Sequence, residues 1–184
     1  MPDQTDQGRF ERLLADKDEE IRRLRAIVDS YLSVDLDTGL LNRNGLIDAI
    51  NRARLWWDRR REPFGVMAIR FPELAGRSGG ESRQLAVTIA RALADTGRAV
   101  DDTGRLDPHT FVIVLREFQQ HGAITVVSRM RTAIRQAVGD PAVTGDLRFG
   151  FVVAVEGEAA GPADYLRMAV EAAEAATPDV PRFG

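Results

Sequence analysis

Apolar residues recur at alternating three- and four-residue steps between about Arg9 and Leu32. This spacing is that of the a and d positions of a coiled coil, and only Lys17 interrupts it. The pattern predicts a helix that either packs on its own domain or forms a parallel dimeric stalk with a second copy. The dimer is favoured, because no apolar surface in the rest of the chain lacks a partner. The expected seam residues are Phe10, Leu14, Ile21, Leu24, Val28 and Tyr31.

Beyond this helix, segments of helical and strand periodicity alternate. Their order is helix, strand, helix, strand, strand, helix, strand, helix, which predicts an α/β or α+β fold with a mostly antiparallel central sheet. Gly76 to Gly80 is expected to be a loop, and Thr177 to Gly184 a tail with little structure. The predicted helices are Asn44 to Arg60, Glu81 to Ala94, Ala123 to Val138 and Ala163 to Ala176; the predicted strands are Phe64 to Phe71, Arg98 to Leu106, Phe111 to Leu115 and Leu147 to Val155.

The helix that ends at Arg60 places its apolar residues on one face, with Trp57 in the core and Trp56 half exposed. It closes with the run Arg59-Arg60-Arg61. The simplest interpretation of this run is a solvated helix end, which the helix dipole favours, and a phosphate-binding role is the less favoured alternative.

Composition is that of an ordinary globular protein, with 184 residues, 44% apolar residues and 29% charged residues. The net charge of −3 argues against a general affinity for nucleic acid or for anionic membranes. The chain has no cysteine, which excludes disulfides and thiolate chemistry. Its polar N-terminus does not resemble a signal peptide, and no apolar run approaches a membrane span. We therefore expect a cytoplasmic protein without membrane or nucleic-acid partners.

The nine residues from Asp35 to Arg43, DLDTGLLNR, follow the predicted stalk directly. They resemble the D-x-L-T-G-L-x-N-R signature that opens GGDEF domains, which are diguanylate cyclases. Six of the seven specified positions match, and Asp37 replaces the usual Leu. The resemblance extends over about Asp35 to Ala176 and implies the nucleotidyl-cyclase fold.

The same resemblance implies that most of the cyclase chemistry is lost. The family holds two divalent cations with carboxylates of a D-x-D-x-F-K motif, because hard cations prefer oxygen ligands. The matching stretch begins at Arg70 and continues through Pro72 to Ala75, so both acids and the lysine are missing. The loop with the guanine-reading residues is shortened, and the lysine of the last helix corresponds to Thr177. No metal and no cofactor are therefore expected.

The signature hairpin G-G-D-E-F corresponds to Asp107, Pro108, His109, Thr110 and Phe111, of which only the Phe is kept. The family's glycines let the backbone approach the nucleotide, whereas Pro108 fixes φ and removes an N–H. His109 is one of two histidines in the chain, and a turn histidine is a better interpretation of it than a catalytic base.

One ligand-binding feature of the family is kept. Many of its cyclases carry an inhibitory R-x-x-D motif, five residues ahead of the hairpin, that binds the product cyclic di-GMP. Arg98 and Asp101 have this spacing, and Arg129 lies where some relatives place a further Arg. A guanidinium fork can hold a phosphate or a guanine edge bidentately, and a carboxylate can accept from a guanine N–H. The alternative is that Arg98 and Asp101 form only a local exposed pair.

Three functional hypotheses follow. The favoured one is an inactive GGDEF domain that binds cyclic di-GMP through Arg98, Asp101 and Arg129. The second is a ligand-independent module for dimerisation and for binding an unidentified protein in bacterial signalling. The third, an active cyclase, is disfavoured by the identities of Arg70 and Pro72. The expected organisation is a disordered N-terminus at 1–8, a coiled-coil signalling helix at 9–33, a degenerate GGDEF domain at 34–177 and a tail at 178–184.

Overall fold

The structure is a computed structural model that describes residues 14, 16–17, 19–21, 23–24, 32–77, 79–154, 160–178 and 180–184. The described residues from 14 to 24 are helical, in agreement with the stalk helix. Leu14, Ile21 and Leu24 are 51%, 47% and 55% exposed, so the domain of the same chain does not cover this part of the seam. The expected seam residues Phe10, Val28 and Tyr31 and the expected disorder at 1–8 lie outside the described residues.

The domain contains the expected helices and strands in the expected order, with two additional short elements, a helix at Pro141–Thr144 and a strand at Arg182–Phe183. The helices are α1 (Arg43–Arg60), α2 (Gly79–Thr96), α3 (Ala123–Val138), α4 (Pro141–Thr144) and α5 (Pro162–Glu174). The strands are β1 (Phe64–Arg70), β2 (Asp102–Asp107), β3 (Thr110–Arg116), β4 (Arg148–Val153) and β5 (Arg182–Phe183). Short 3₁₀ helices span Pro72–Gly76 and Gln120–Gly122.

The five strands form one sheet in the order β2-β3-β1-β4-β5. β1 lies at the centre and pairs antiparallel with both β3 and β4, whereas β4 and β5 are parallel. Alternate residues of β1 enter two core layers, as the period of a strand requires. Met67 and Ile69 pack in the layer under α2 and α3, and Val66 and Ala68 pack in the layer under α1 and α5. The expected α+β fold with a mostly antiparallel sheet is confirmed.

Helix α5 packs unusually close to the sheet at Gly150 in β4. A Cβ atom at this position would lie 2.1 Å from the backbone nitrogen of Ala173 and 2.4 Å from the carbonyl oxygen of Ala169. Only a residue without a side chain allows this approach, so Gly150 sets the distance between α5 and the sheet.

Three sequence-based expectations about the elements were wrong. Residues Arg98 to Asp101 form a turn rather than the start of β2, because the Asp101 amide donates to the Arg98 carbonyl at 2.9 Å. The expected loop at Gly76 to Gly80 contains the end of a 3₁₀ helix and the first residues of α2. The tail includes β5, where the Gly184 amide donates to Phe151 O at 2.9 Å and the Phe183 ring stacks on Phe151.

In the part of the chain that the structure describes, no helix combines the length and the apolar composition needed to cross a membrane.

Candidate functional site

The signature segment folds into a turn that fixes the start of α1. The Asp35 carboxylate accepts from the Thr38 amide at 2.8 Å and from the Thr38 hydroxyl at 2.6 Å. Gly39 adopts a φ of 71°, a left-handed conformation that favours glycine. Asn42 caps α1 by accepting from the Gly45 amide at 3.1 Å, and its Nδ2 donates to the Leu32 carbonyl at 2.8 Å. The segment thus joins the chain that follows the stalk to the first helix of the domain.

A buried arginine connects this segment to the hairpin strand β2. Arg105 is 8% exposed and lies 3.5 Å from the Asp35 carboxylate and 3.6 Å from the Asp37 carboxylate. Asp37 also pairs with Arg83 of α2 at 3.0 Å. Asp37, which departs from the family signature, therefore bridges β2 and α2. Sequence reasoning noted this substitution and missed its role, because both cationic partners lie far along the chain.

The end of β1, where GGDEF domains hold their metal ions, has arginine side chains in this protein. Arg70 ends β1, opposite Thr110 of β3 and Arg148 of β4. Its guanidinium lies 2.9 Å from the carboxylate of Glu174 at the end of α5. Arg148 is held by the Asp146 carboxylate at 2.7 Å, and this hydrogen bond raises the pKa of Arg148 above its ordinary value. Guanidinium groups repel a divalent cation, so the residues at this edge do not fit a magnesium site.

Across the described ranges, no group of three or more His, Cys, Asp or Glu residues is placed to hold a metal ion. Pro72 begins the 3₁₀ helix after β1 and supplies no oxygen ligand from its side chain.

The hairpin tip is a tight turn held by side-chain and backbone bonds. The His109 amide donates to the Asp107 carboxylate at 2.8 Å, and the His109 carbonyl accepts from the Phe71 amide at 2.8 Å. Pro108 and His109 are not among the positive-φ residues, so the turn does not need the family's glycines. Phe111 is fully buried and packs edge-on against Phe71, so the kept Phe is a core residue.

The structure brings Arg98 and Asp101 together in the turn between α2 and β2. The Asp101 carboxylate accepts from the Arg98 amide at 3.4 Å and from the Arg116 amide at 3.0 Å. The Arg98 guanidinium donates to the Arg116 carbonyl at 3.2 Å and lies 3.9 Å from the Glu117 carboxylate. Sequence reasoning missed Arg116 and Glu117, because nothing in the local sequence indicates that the end of β3 lies beside this turn.

Arg129 lies on the outer surface of α3. It lines an open depression of about 660 Å³ between α3 and the end of α2, and Thr96, the last residue of α2, forms part of the same lining. Arg98 follows Thr96 closely in the chain but is not itself part of this lining. The three predicted ligand residues thus lie around the end of α2, with Arg98 and Asp101 in one turn and Arg129 on the neighbouring helix.

Comparison with known proteins identifies the family. Residues 32–178 match the family described as "Diguanylate cyclase, GGDEF domain". No curated protein matches the sequence. The solved structure of the coiled coil and GGDEF domain of DgcB from Caulobacter crescentus, in complex with c-di-GMP, is 17% identical, covers 95% of this chain and 99% of its own, and has a TM-score of 0.69.

Two structures from Pseudomonas aeruginosa are also similar. Diguanylate cyclase SiaD, in complex with its activator SiaC, is 18% identical with a TM-score of 0.65 and covers 98% of this chain and 74% of its own. The FimX GGDEF domain is 19% identical with a TM-score of 0.67 and covers 83% of this chain and 98% of its own. These structural likenesses support the fold, and the family match covers most of the chain. The chain belongs to the diguanylate cyclase GGDEF domain family.

Proposed function

We propose that this GGDEF domain is catalytically inactive and acts as a receptor that binds cyclic di-GMP through Arg98, Asp101 and Arg129. The observation that carries the proposal is the turn between α2 and β2, where the Asp101 carboxylate accepts from the Arg98 amide and the Arg98 guanidinium is half exposed. Such a pair offers a bidentate donor for a phosphate or a guanine edge and an acceptor for a guanine N–H.

The loss of activity is inferred from the sheet edge. Cyclisation of GTP in this family needs divalent cations beside the triphosphate, and Arg70 puts a fixed positive charge where a carboxylate ligand is required. Glu174 pairs with Arg70 at 2.9 Å and offsets that charge. We infer that the edge has become an ion-paired surface without a catalytic role.

The hydrogen bonds of the turn support a ligand role and also leave donors free for it. The Asp101 carboxylate accepts hydrogen bonds from two backbone amides, and these bonds fix the position of the turn. The Arg98 guanidinium has five N–H groups and makes one hydrogen bond, to the Arg116 carbonyl. Its side chain is 48% exposed, and its Nη2 atom lies 3.9 Å from the Glu117 carboxylate, beyond hydrogen-bond distance.

The second candidate function is a dimerising module that binds another protein and no nucleotide. The exposed seam residues Leu14, Ile21 and Leu24 favour a homodimer through the stalk, because a second copy would bury them. The intramolecular contacts of Arg98 with Arg116 and Glu117 are also what a purely structural turn would make. SiaD, a relative of similar fold, is found with an activator protein, which is compatible with a protein partner here.

Calorimetric titration of the full chain with cyclic di-GMP separates the two functions. The receptor is expected to bind with a dissociation constant at or below roughly the low micromolar range, about −8 kcal/mol. Arg98→Ala should weaken binding by about 2 to 3 kcal/mol, because it leaves ligand groups without their charged donor. Arg129→Ala should cost less, and Arg91→Ala, an exposed arginine on α2, is the matched control. A wild-type protein that shows neither heat nor a thermal shift in excess ligand supports the second function.

A further inference from the structure

Two adjoining surface clefts meet at Trp56 on the outer side of α1. One cleft, of about 240 Å³, is lined by Arg52, Leu55, Trp56, Arg59 and Arg60. The other, of about 350 Å³, also contains Arg52 and Trp56 and extends to Val100 and Arg116. We refer to Arg52, Leu55, Trp56, Arg59, Arg60 and Val100 as the Trp56 surface.

The apolar residues of the Trp56 surface are not part of the domain core. The core face of α1 consists of Leu46, Ile50 and Ala53, which are fully buried, and Trp57 packs against the same layer. Leu55 and Trp56 lie off this face and are 42% and 43% exposed, and Val100 is 51% exposed. Exposed large apolar side chains that cluster in this way mark interaction sites, whereas scattered ones need no explanation.

The charges around Trp56 favour an anionic occupant. The smaller cleft has three arginines in its lining and no carboxylate, whereas the larger cleft has two arginines and the carboxylates of Glu62 and Glu117, so the excess of positive charge lies in the smaller cleft. The Arg60 guanidinium lies 4.3 Å from the centre of the Trp56 ring, which holds the cation beside the aromatic face. Arg52 and Arg60 pair with Asp102 and Glu62 at 3.4 and 3.7 Å, and pairs this long and this exposed exchange easily for other carboxylates.

We propose that the Trp56 surface is a docking site for an acidic segment of a partner protein that carries an apolar anchor side chain. Tryptophan and arginine are the residues that most often dominate the binding energy of protein interfaces. Carboxylates of the partner would pair with Arg52, Arg59 and Arg60, and the apolar anchor would enter the cleft between Trp56 and Val100. This proposal does not depend on nucleotide binding or on the stalk dimer.

The position of the surface gives the docking site access to the turn at Arg98. Val100 lies inside that turn, and Arg116, whose amide donates to Asp101, lines the same cleft. An occupant of the larger cleft would therefore contact the backbone that positions Arg98 and Asp101. The Trp56 surface and the turn that contains Arg98 and Asp101 are therefore contiguous.

Binding to the Trp56 surface can be measured by the fluorescence of Trp56 itself. The chain has two tryptophans, so Trp57→Phe leaves Trp56 as the only indole in the otherwise unchanged 184-residue chain. The probe is a short synthetic peptide of alternating Asp and Glu around a central Leu-Phe pair. We expect a saturable change of Trp56 emission with a dissociation constant of roughly 10 to 100 µM, the range of a weak peptide contact.

Two matched peptides and two matched variants define the outcome. A peptide with Lys in place of every acid, and an acidic peptide without the Leu-Phe pair, should each bind at least tenfold more weakly. The double variant Arg59→Glu with Arg60→Glu should also weaken binding at least tenfold, whereas Arg91→Glu on α2 should leave it unchanged. Circular dichroism and thermal unfolding check that the variants are folded. The proposal is overturned by the absence of a saturable change up to millimolar peptide, by equal binding of the lysine peptide, or by unchanged binding to the double variant.

Discussion

Replacement of Asp101 by Ala and by Asn separates the structural role of this residue from its proposed ligand role. In the folded protein the Asp101 carboxylate accepts two backbone hydrogen bonds, from the Arg116 amide at 3.0 Å and from the Arg98 amide at 3.4 Å. Alanine removes both acceptors, whereas asparagine keeps one neutral oxygen in the same position. The two variants therefore differ in whether the turn remains anchored to the end of β3.

The expected magnitudes follow from these two bonds. A hydrogen bond to a charged group contributes about 1.5 to 3 kcal/mol, and we take the lower end for the Arg116 amide because Asp101 is only half-buried. The longer bond to the Arg98 amide adds little. Asp101→Ala is thus expected to lower the free energy of unfolding by about 1.5 to 2 kcal/mol, and Asp101→Asn by about 0.5 to 1 kcal/mol.

Urea unfolding of each variant measures this difference, and Asp95→Ala is the control. Asp95 is an exposed acid near the end of α2, so its loss should change stability by less than about 0.5 kcal/mol. An Asp101→Ala variant within about 0.3 kcal/mol of the wild type would refute the reasoning, because the turn would then not need its carboxylate.

Titration of Asp101→Asn with cyclic di-GMP completes the experiment. Asparagine keeps an oxygen that accepts from the Arg116 amide, but this oxygen is neutral and accepts more weakly from a guanine N–H than a carboxylate does. Binding should therefore weaken about tenfold, roughly 1.4 kcal/mol. If this variant binds as tightly as the wild type, Asp101 only positions Arg98 and the direct ligand contact is wrong.

The ion pair of Arg70 at the end of β1, the stalk and the packing of α5 lead to three further expectations. The purified protein should form no cyclic di-GMP from GTP with Mg²⁺ or Mn²⁺, because of Arg70; product above a protein-free blank that disappears on mutation of Asp107 contradicts this. Deletion of residues 1–31, which retains the Leu32 carbonyl bonded by Asn42, should convert a dimer into a monomer in light scattering. If the undeleted 184-residue chain is a monomer at roughly tens of micromolar, the stalk dimer is contradicted. Gly150→Ala should destabilise the domain by about 3 kcal/mol or more, whereas Gly79→Ala, with open space around it, should not; equal urea midpoints would show that α5 can move away.

The periodic segments of the sequence were sufficient to predict most of the fold. The predicted bounds of α3 agree with the structure, and α1 begins one residue earlier than expected. These helices bury one continuous stripe, so their own sequence contains the signal. The strand β5 contains no such signal, because a two-residue strand is defined by its pairing with β4 and not by its own pattern.

The candidate site was predictable only where its residues are close in sequence. Arg98 and Asp101 are three residues apart, so the motif could be found before the structure was known. Their partners Arg116 and Glu117 come from the far end of the next hairpin strand. Similarly, the identity of Arg70 indicated the loss of a metal ligand, but its pairing with Glu174 depends on where α5 ends over the sheet.

The kept and lost positions of the family pattern differ in their physical surroundings. The kept residues Asp35 and Asn42 each make several hydrogen bonds, and Asp35 also pairs with the buried Arg105. A buried charge that loses its partner costs the fold several kcal/mol, roughly 3 to 5 for an ion pair. Arg70 and the hairpin tip at Pro108 lie at the end of the sheet, where Glu174 pairs with the arginine and the turn needs no positive φ. The contacts that anchor the start of α1 therefore do not involve Arg70 or Pro108.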